Sequence, residues 1–122
     1  MTQTEEFLAI FEHLKEVLKE QESDLVVTVD DSESYSLDAP RAGAYKKPLF
    51  FGAAHIKKRY VSYHLMPVYI FPELLDNLSP GLRKRMQGKS CFNFRTLGDE
   101  QLRELRSLTE DCVAKFKAED LA

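Results

Sequence analysis

Apolar residues recur at helical spacing in two stretches of the chain, one near each end of the sequence. The first stretch runs from about residue 4 to residue 21, and the second begins at Asp99. Apolar side chains three and four positions apart form one stripe along a helix, so each stretch predicts an amphipathic helix with a single buried face. The two stripes consist of Phe7, Ile10, Phe11, Leu14, Val17 and Leu18, and of Leu102, Leu105, Leu108, Cys112, Val113 and Phe116.

Short segments between these helices are rich in β-branched and aromatic residues, a composition typical of strands. They cover residues 25–29, 35–37, 49–56, 60–66 and 90–95. Only a few basic residues separate the third segment from the fourth, which predicts a hairpin. Pro72 and the pair Ser79-Pro80 each predict a short helical turn, and Gly88 predicts the end of the second one. Residues 38–48 show no periodicity and predict a loop.

The order of these elements predicts the fold class. Short strands joined by hairpins, with two one-sided helices, favour an α+β domain. We therefore expect an antiparallel-rich sheet of about five short strands, with the N-terminal and C-terminal helices packed mainly on one face and a short helical connection. The length of 122 residues predicts a single domain over residues 1–122.

Composition is that of a globular protein and argues against several other classes. Hydrophobic residues make up 43% and charged residues 30% of the chain, and the longest apolar runs are far too short for a bilayer span. Glu5 and Glu6 stand where a secretory signal would carry basic residues, so we expect a cytoplasmic protein. Cys91 and Cys112 are then expected to stay reduced, since two distant cysteines form neither a disulfide scaffold nor a CxxC pair.

Common catalytic signatures are absent from the sequence. The five glycines form neither a P-loop nor a dinucleotide-binding fingerprint, and no serine lies in a GxSxG elbow. The three histidines, His13, His55 and His64, lack the HExxH spacing of zinc hydrolases. These absences favour a binding domain over an enzyme.

Strand alternation predicts a polar face on the sheet. If Phe92 and Phe94 face the helices, the residues that alternate with them face the other way. The same argument applied to the second hairpin strand predicts one surface that presents Tyr60, Ser62, His64, Cys91 and Asn93. Phenol, imidazole and thiol groups together suit a small-molecule or partner site. An ordinary solvated sheet face and a homodimer contact are the alternatives.

Charge is unevenly distributed along the chain. Residues 1–40 carry eleven acids and two bases, whereas residues 41–98 carry eleven bases and two acids. Arg83, Arg85 and Lys89 lie in the basic segment and predict a basic rim for an anion, since guanidinium groups bind phosphate and carboxylate through paired hydrogen bonds. The alternative is that the segments neutralise each other in the folded chain. The acidic pI of about 5.6 argues against a nucleic-acid partner.

Acidic residues follow one face of the first helix at successive four-residue steps. Glu12, Glu16 and Glu20, extended by Asp24, Asp30 and Asp31, could bind a metal ion weakly through their carboxylate oxygens. An exposed, solvated helix face explains the same pattern.

Three segments carry a resemblance to a known family. They are KPLFFGAAHI (Lys47 to Ile56), KRYVSYHLMPVY (Lys58 to Tyr69) and RKRMQGKSCFNF (Arg83 to Phe94). Their order and spacing resemble the YdhG-like family of bacterial domains of unknown function, over roughly residues 20 to 118. The resemblance implies a compact α+β sandwich. Some relatives are described as frataxin-like intracellular iron chaperones, which implies iron as a candidate ligand for the acids of the first helix.

The leading hypothesis from the sequence is a non-enzymatic cytoplasmic binding domain for a small anionic ligand or a protein partner. This hypothesis requires no cofactor and no membrane contact. A frataxin-like iron-binding chaperone is the alternative, and an enzyme that uses His64 or Cys91 is the third hypothesis.

Overall fold

The structure, a computed structural model, describes residues 2–40 and 49–121. Its α-helices are α1 Gln3–Lys19, α2 Met66–Ile70, α3 Pro80–Arg83 and α4 Asp99–Ala118. Its strands are β1 Val26–Asp30, β2 Ser34–Asp38, β3 Phe50–Ile56, β4 Val61–Leu65, β5 Met86–Gln87 and β6 Cys91–Phe94. Short 3₁₀ turns cover Glu22–Asp24 and Pro72–Leu75. Of the predicted loop 38–48, residues 41–48 lie outside the described residues.

The strands form one antiparallel sheet in the order β1-β2-β3-β4-β6-β5. The predicted α+β class, with an antiparallel sheet and a helix near each end of the chain, is confirmed. Among the residues that the structure describes, the sheet has six strands rather than about five, because Met86–Gln87 pairs with β6 as an edge strand. The sequence predicted these two residues within a helix that closes at Gly88, but α3 ends at Arg83. Pairing with β6 gives the backbone groups of both residues hydrogen-bond partners across a short hairpin, which a continued helix would not supply.

One face of the sheet, which we call the inner face, packs against α1 and α4. At its centre the rings of Phe51 and Phe116 meet edge to face, with their centroids 5.6 Å apart. The fully buried strand residues of this face are Tyr35, Leu37, Phe51, Ala54, Val61, Tyr63, Leu65, Phe92 and Phe94. They join the apolar stripes of both long helices in a single core. The side chains that alternate with them point to the opposite face of the sheet.

Both long helices begin at a capped N-terminus. The Thr2 hydroxyl accepts a hydrogen bond from the Glu5 amide (3.2 Å) at the start of α1, and the Gln101 side chain accepts one from the Gly98 amide (3.1 Å) before α4. These bonds satisfy amide groups that have no partner in the first helical turn. The caps therefore define where each apolar stripe begins.

The predicted hairpin is the β3–β4 pair. Its turn closes with a hydrogen bond from the Lys57 amide to the Tyr60 carbonyl oxygen (2.8 Å). Further along the pair, Gly52 lies opposite Leu65. A Cβ atom at Gly52 would stand 2.9 Å from the His64 carbonyl oxygen, closer than side-chain carbons approach backbone. Glycine at this position therefore permits the close approach of the two strands.

Candidate functional site

The register between β4 and β6 brings four of the predicted site residues together. Ser62 pairs with Asn93, and His64 pairs with Cys91. Their neighbours along both strands are buried in the core. The four side chains therefore lie side by side on the face of the sheet opposite α1 and α4, as the alternation predicts.

The same surface continues onto β3 and β2. His55 lies opposite Ser62, and Ser34 lies opposite His55. Sequence reasoning missed His55 and Ser34, although a four-residue hairpin turn requires His55 to stand across from Ser62. We call the complete surface the outer polar face, and it consists of Ser34, Ser36, Ala53, His55, Ser62, His64, Cys91 and Asn93.

A serine hydroxyl contacts each imidazole of the outer polar face. Ser34 Oγ and His55 Nδ1 are 2.9 Å apart, and Ser90 Oγ and His64 Nε2 are 2.6 Å apart. The His64 ring also packs edge to face on Phe50, with their centroids 5.2 Å apart. These contacts orient both rings, so their remaining nitrogen atoms point in set directions.

Both imidazoles favour the neutral form. Burial lowers the pKa of His64 below its usual value, and the neighbouring His55 lowers that pKa further. Burial also lowers the pKa of His55, and the Lys57 ammonium group contributes in the same direction. A neutral imidazole has one N–H donor and one acceptor nitrogen, so each ring can join a hydrogen-bond network without adding a charge.

The Cys91 side chain is half-buried beside Asn93. Its sulfur lies 3.9 Å from the Asn93 Oδ1 atom, a weak contact. Burial raises the pKa of the Cys91 thiol, although the nearby Lys57 charge opposes the increase. Since the thiolate is the nucleophilic form of cysteine, this environment does not activate Cys91 for covalent chemistry.

Two further predicted site residues lie at borders of the outer polar face. The Arg85 carbonyl oxygen accepts a hydrogen bond from the Asn93 amide (2.8 Å), which places Arg85 beside Asn93 on the neighbouring β5 segment. Its side chain is exposed. Tyr60 is half-buried at the end of the hairpin turn, directly before β4.

The end of β2 brings a carboxyl group to another border. Asp38 continues the alternation of Ser34 and Ser36 and lies opposite Phe50 of β3. Burial raises the pKa of the Asp38 carboxyl group. The cross-strand row that runs from Ser34 through His55 and Ser62 to Asn93 therefore holds hydroxyl, imidazole and amide groups. The Asp38 carboxyl group lies apart from this row, at the other end of β2.

Arg83 and Lys89, the other two residues of the predicted basic rim, line a separate groove of about 560 Å³. The groove lies between α2 with the following 3₁₀ turn on one side and α3 with the β5–β6 hairpin on the other. We call it the basic groove, and it is lined by Val68, Tyr69, Pro72, Leu75, Arg83, Met86, Gly88 and Lys89. The structure thus divides the basic rim between two places.

The acidic residues predicted to bind a metal ion do not converge on one point in the structure. The Arg106 Nε–H of α4 donates a hydrogen bond shared by both carboxylate oxygens of Glu20 (2.8 and 3.1 Å), and Asp24 forms an ion pair with Lys117 (2.9 Å). Glu12 and Glu16 are exposed. Within residues 2–40 and 49–121, no three His, Cys, Asp or Glu side chains are grouped so that they could hold a metal ion. Iron binding stays a prediction from the sequence.

Comparisons of the chain with protein-family models, with curated proteins and with solved structures returned no match. The resemblance to the YdhG-like family stays a prediction from the three segments that carry it. Among the residues that the structure describes, no helix combines the length and the apolar composition that crossing a bilayer requires.

Proposed function

We propose that the chain is a non-enzymatic binding domain that takes a small anionic ligand on the outer polar face. The cross-strand register carries this proposal, because it sets hydroxyl, imidazole and amide groups next to one another on a single face. Groups that donate hydrogen bonds stabilise negative charge, and more strongly when the acceptor is ionised. Arg85 adds a positive charge at the border of these donors.

We place the centre of the proposed site at the Ser62 hydroxyl and the Asn93 side-chain amide; Ser62 is 5% exposed and Asn93 is half-buried. They stand directly opposite each other on neighbouring strands. Cβ atoms of such pairs are about 4.5–5.5 Å apart, so both side chains can donate to different oxygens of one phosphate or carboxylate. The guanidinium of Arg85, the residue directly before β5, can bind the same anion through two parallel N–H groups.

The protonation of the thiol supports binding rather than catalysis. The raised pKa of Cys91, caused mainly by burial, keeps its sulfur in the unreactive thiol form. The other candidate nucleophile beside His64 is Ser90, whose side chain is buried.

A reducing, cytoplasmic location is part of the same proposal. Cys91 and Cys112 are both free. Free thiols persist where glutathione and thioredoxin keep cysteines reduced, as they do in the cytoplasm.

Titration of the whole ¹⁵N-labelled chain with inorganic phosphate tests the proposed function. We expect saturable shifts of the amide resonances of Ser62 and Asn93. Arg85→Ala and Asn93→Ala should each weaken the affinity by about tenfold or more, since a hydrogen bond to a charged group contributes about 1.5–3 kcal/mol. Shifts confined to Tyr69 and Gly88, or no saturable shift, would refute binding at the outer polar face.

Arg103→Ala is the matched control for the loss of one positive charge. Arg103 is exposed on α4, the helix that packs against the inner face. Its removal should leave the phosphate affinity unchanged. An equal loss of affinity in this variant would show that the net charge, rather than the outer polar face, governs binding.

A further inference from the structure

The basic groove is a second concave site, separate from the outer polar face. One wall consists of α2 and the 3₁₀ turn Pro72–Leu75, and the other consists of α3 and the β5–β6 hairpin. Its volume of about 560 Å³ lies within the range of small-molecule sites, which is roughly 300–1,000 Å³. The groove is therefore large enough for a small organic ligand.

Arg83 is held in position on the groove wall. Its Nη2 atom donates a hydrogen bond to the Leu75 carbonyl oxygen (2.6 Å) across the groove. The helix that carries it is anchored in turn, because the Ser79 hydroxyl accepts a hydrogen bond from the Leu82 amide (3.2 Å) and donates one to Glu104 (2.5 Å). A guanidinium group has five N–H donors, so those not used by Leu75 can bind a ligand from a fixed position.

The groove combines an apolar base with an exposed aromatic ring. Val68 is only 1% exposed, whereas Tyr69 is 55% exposed, an unusual exposure for so large a hydrophobic side chain. Met86 lines the groove from the hairpin wall and is half-buried, and such side chains adapt to the shape of a bound group. An exposed tyrosine offers a flat apolar surface for packing.

The charge of the groove is positive and is not neutralised within the described part of the chain. The described residues are 2–40 and 49–121, and none of the ion pairs formed among them includes Arg83 or Lys89. Lys84 and Arg85 follow Arg83 directly along the chain. A cleft lined by charges of one sign raises the local concentration of oppositely charged molecules.

We propose that the basic groove binds a small amphipathic anion, with a carboxylate or phosphate head on Arg83 and Lys89 and an aromatic or short acyl body against Tyr69 and Met86. Charge complementarity selects the head, and the apolar base with its exposed ring selects the body. This site uses none of the residues of the outer polar face, so it can exist whether or not that face binds an anion.

Four probes added to the whole ¹⁵N-labelled chain separate the contributions of head and body. Phenyl phosphate and benzoate have both parts, inorganic phosphate has only the head, and benzyl alcohol has only a neutral body. We expect the two amphipathic anions to shift the resonances of Tyr69, Met86 and Gly88 and to bind about tenfold more tightly than either partial probe. The tighter of the two anions assigns the head as phosphate or carboxylate.

Arg83→Met removes the charge but keeps an apolar stem, and Lys84→Met is its matched control. Lys84 is exposed at the end of the same short helix and does not line the groove. Arg83→Met and Tyr69→Ala should each weaken the binding of phenyl phosphate about tenfold, and Lys84→Met should not. If melting shows that Arg83→Met is unfolded, Lys89→Met gives the same test without touching α3.

Three results would overturn the proposal. The first is binding of benzyl alcohol or inorganic phosphate, measured from the Tyr69 and Gly88 resonances of the basic groove, as tight as that of phenyl phosphate. The second is an equal loss of affinity in Lys84→Met and in the folded groove variant. The third is a set of shifted resonances that excludes Tyr69 and Gly88.

Discussion

The Tyr63 hydroxyl donates a hydrogen bond to the Thr109 hydroxyl across 2.6 Å, and both side chains are completely buried. The direction follows from the second bond of Thr109, whose hydroxyl donates its only proton to the Leu105 carbonyl oxygen (2.7 Å). Tyr63 lies on β4 and Thr109 lies on α4. A buried hydrogen bond thus joins β4 to α4 inside the core, and β4 is also the strand that presents Ser62 and His64 on the outer polar face.

Thr109→Val should destabilise the protein by about 1–3 kcal/mol. Valine has nearly the shape of threonine but leaves the buried Tyr63 hydroxyl without an acceptor, and an unsatisfied buried group carries its full desolvation cost. Chemical denaturation of both proteins measures the difference in the free energy of unfolding.

The double variant Tyr63→Phe/Thr109→Val is the control for that prediction. Replacing both partners by apolar groups of similar shape is close to neutral, so the double variant should recover most of the lost stability. Equal destabilisation in the single and double variants would mean that packing, rather than the hydrogen bond, accounts for the loss.

Gly88→Ala should destabilise the protein by about 1 kcal/mol, because Gly88 has a positive φ of 79° in the β5–β6 turn. Alanine adopts this left-handed conformation at a cost, although a Cβ there would meet no atom within 4 Å. Gly81→Ala is the matched control, since Gly81 lies in α3 with equally open space, and alanine there should be neutral or stabilising. Equal effects of both variants on the melting temperature would contradict the backbone argument.

The free energy of unfolding should fall as the pH is lowered through 6.5, the ordinary pKa of histidine. The folded state holds the pKa values of His55 and His64 below that value, chiefly through burial, so the unfolded chain binds more protons in this window. Stability from these groups is therefore present above pH 6.5 and is lost as the pH falls toward the lower pKa of the folded state.

His64→Gln isolates one of these groups, because glutamine can still bond to Ser90 but does not titrate. The variant should show a weaker dependence of stability on pH between about pH 8 and pH 5 than the unmodified chain. His13→Gln, at an exposed position on α1, serves as the control for removal of a histidine. Parallel pH curves for His64→Gln and the unmodified chain would disprove the assignment.

Cys91 should react slowly with iodoacetamide in the folded protein. It is half-buried, and burial raises the pKa of its thiol, so both access and the thiolate fraction are reduced. In a Cys112→Ala background, mass spectrometry should show alkylation at least about tenfold slower in the native chain than in urea. Equal rates under both conditions would indicate that the outer polar face leaves this sulfur accessible and ionised.

Much of the architecture follows from local patterns that are visible in the sequence. The apolar stripes of α1 and α4 follow the 3.6-residue period of a helix. The two-residue period of a strand places Ser62 and His64 on one side of β4, and Cys91 and Asn93 on one side of β6. These periods arise from backbone geometry, so they hold before any strand has found its neighbour. The α+β class and the facing of the polar residues could be inferred on this basis.

Tertiary pairing decided the rest. Met86–Gln87 has no local signal for a strand, and only its contact with β6 makes it one. That pairing places Arg85 beside Asn93, while Arg83, two residues earlier, remains on a helix and lines the basic groove. Which side a residue faces is a property of its own strand, but which residues become neighbours depends on hydrogen bonds between strands, both in the short β5–β6 hairpin and between β4 and β6, which the chain separates by α2 and α3.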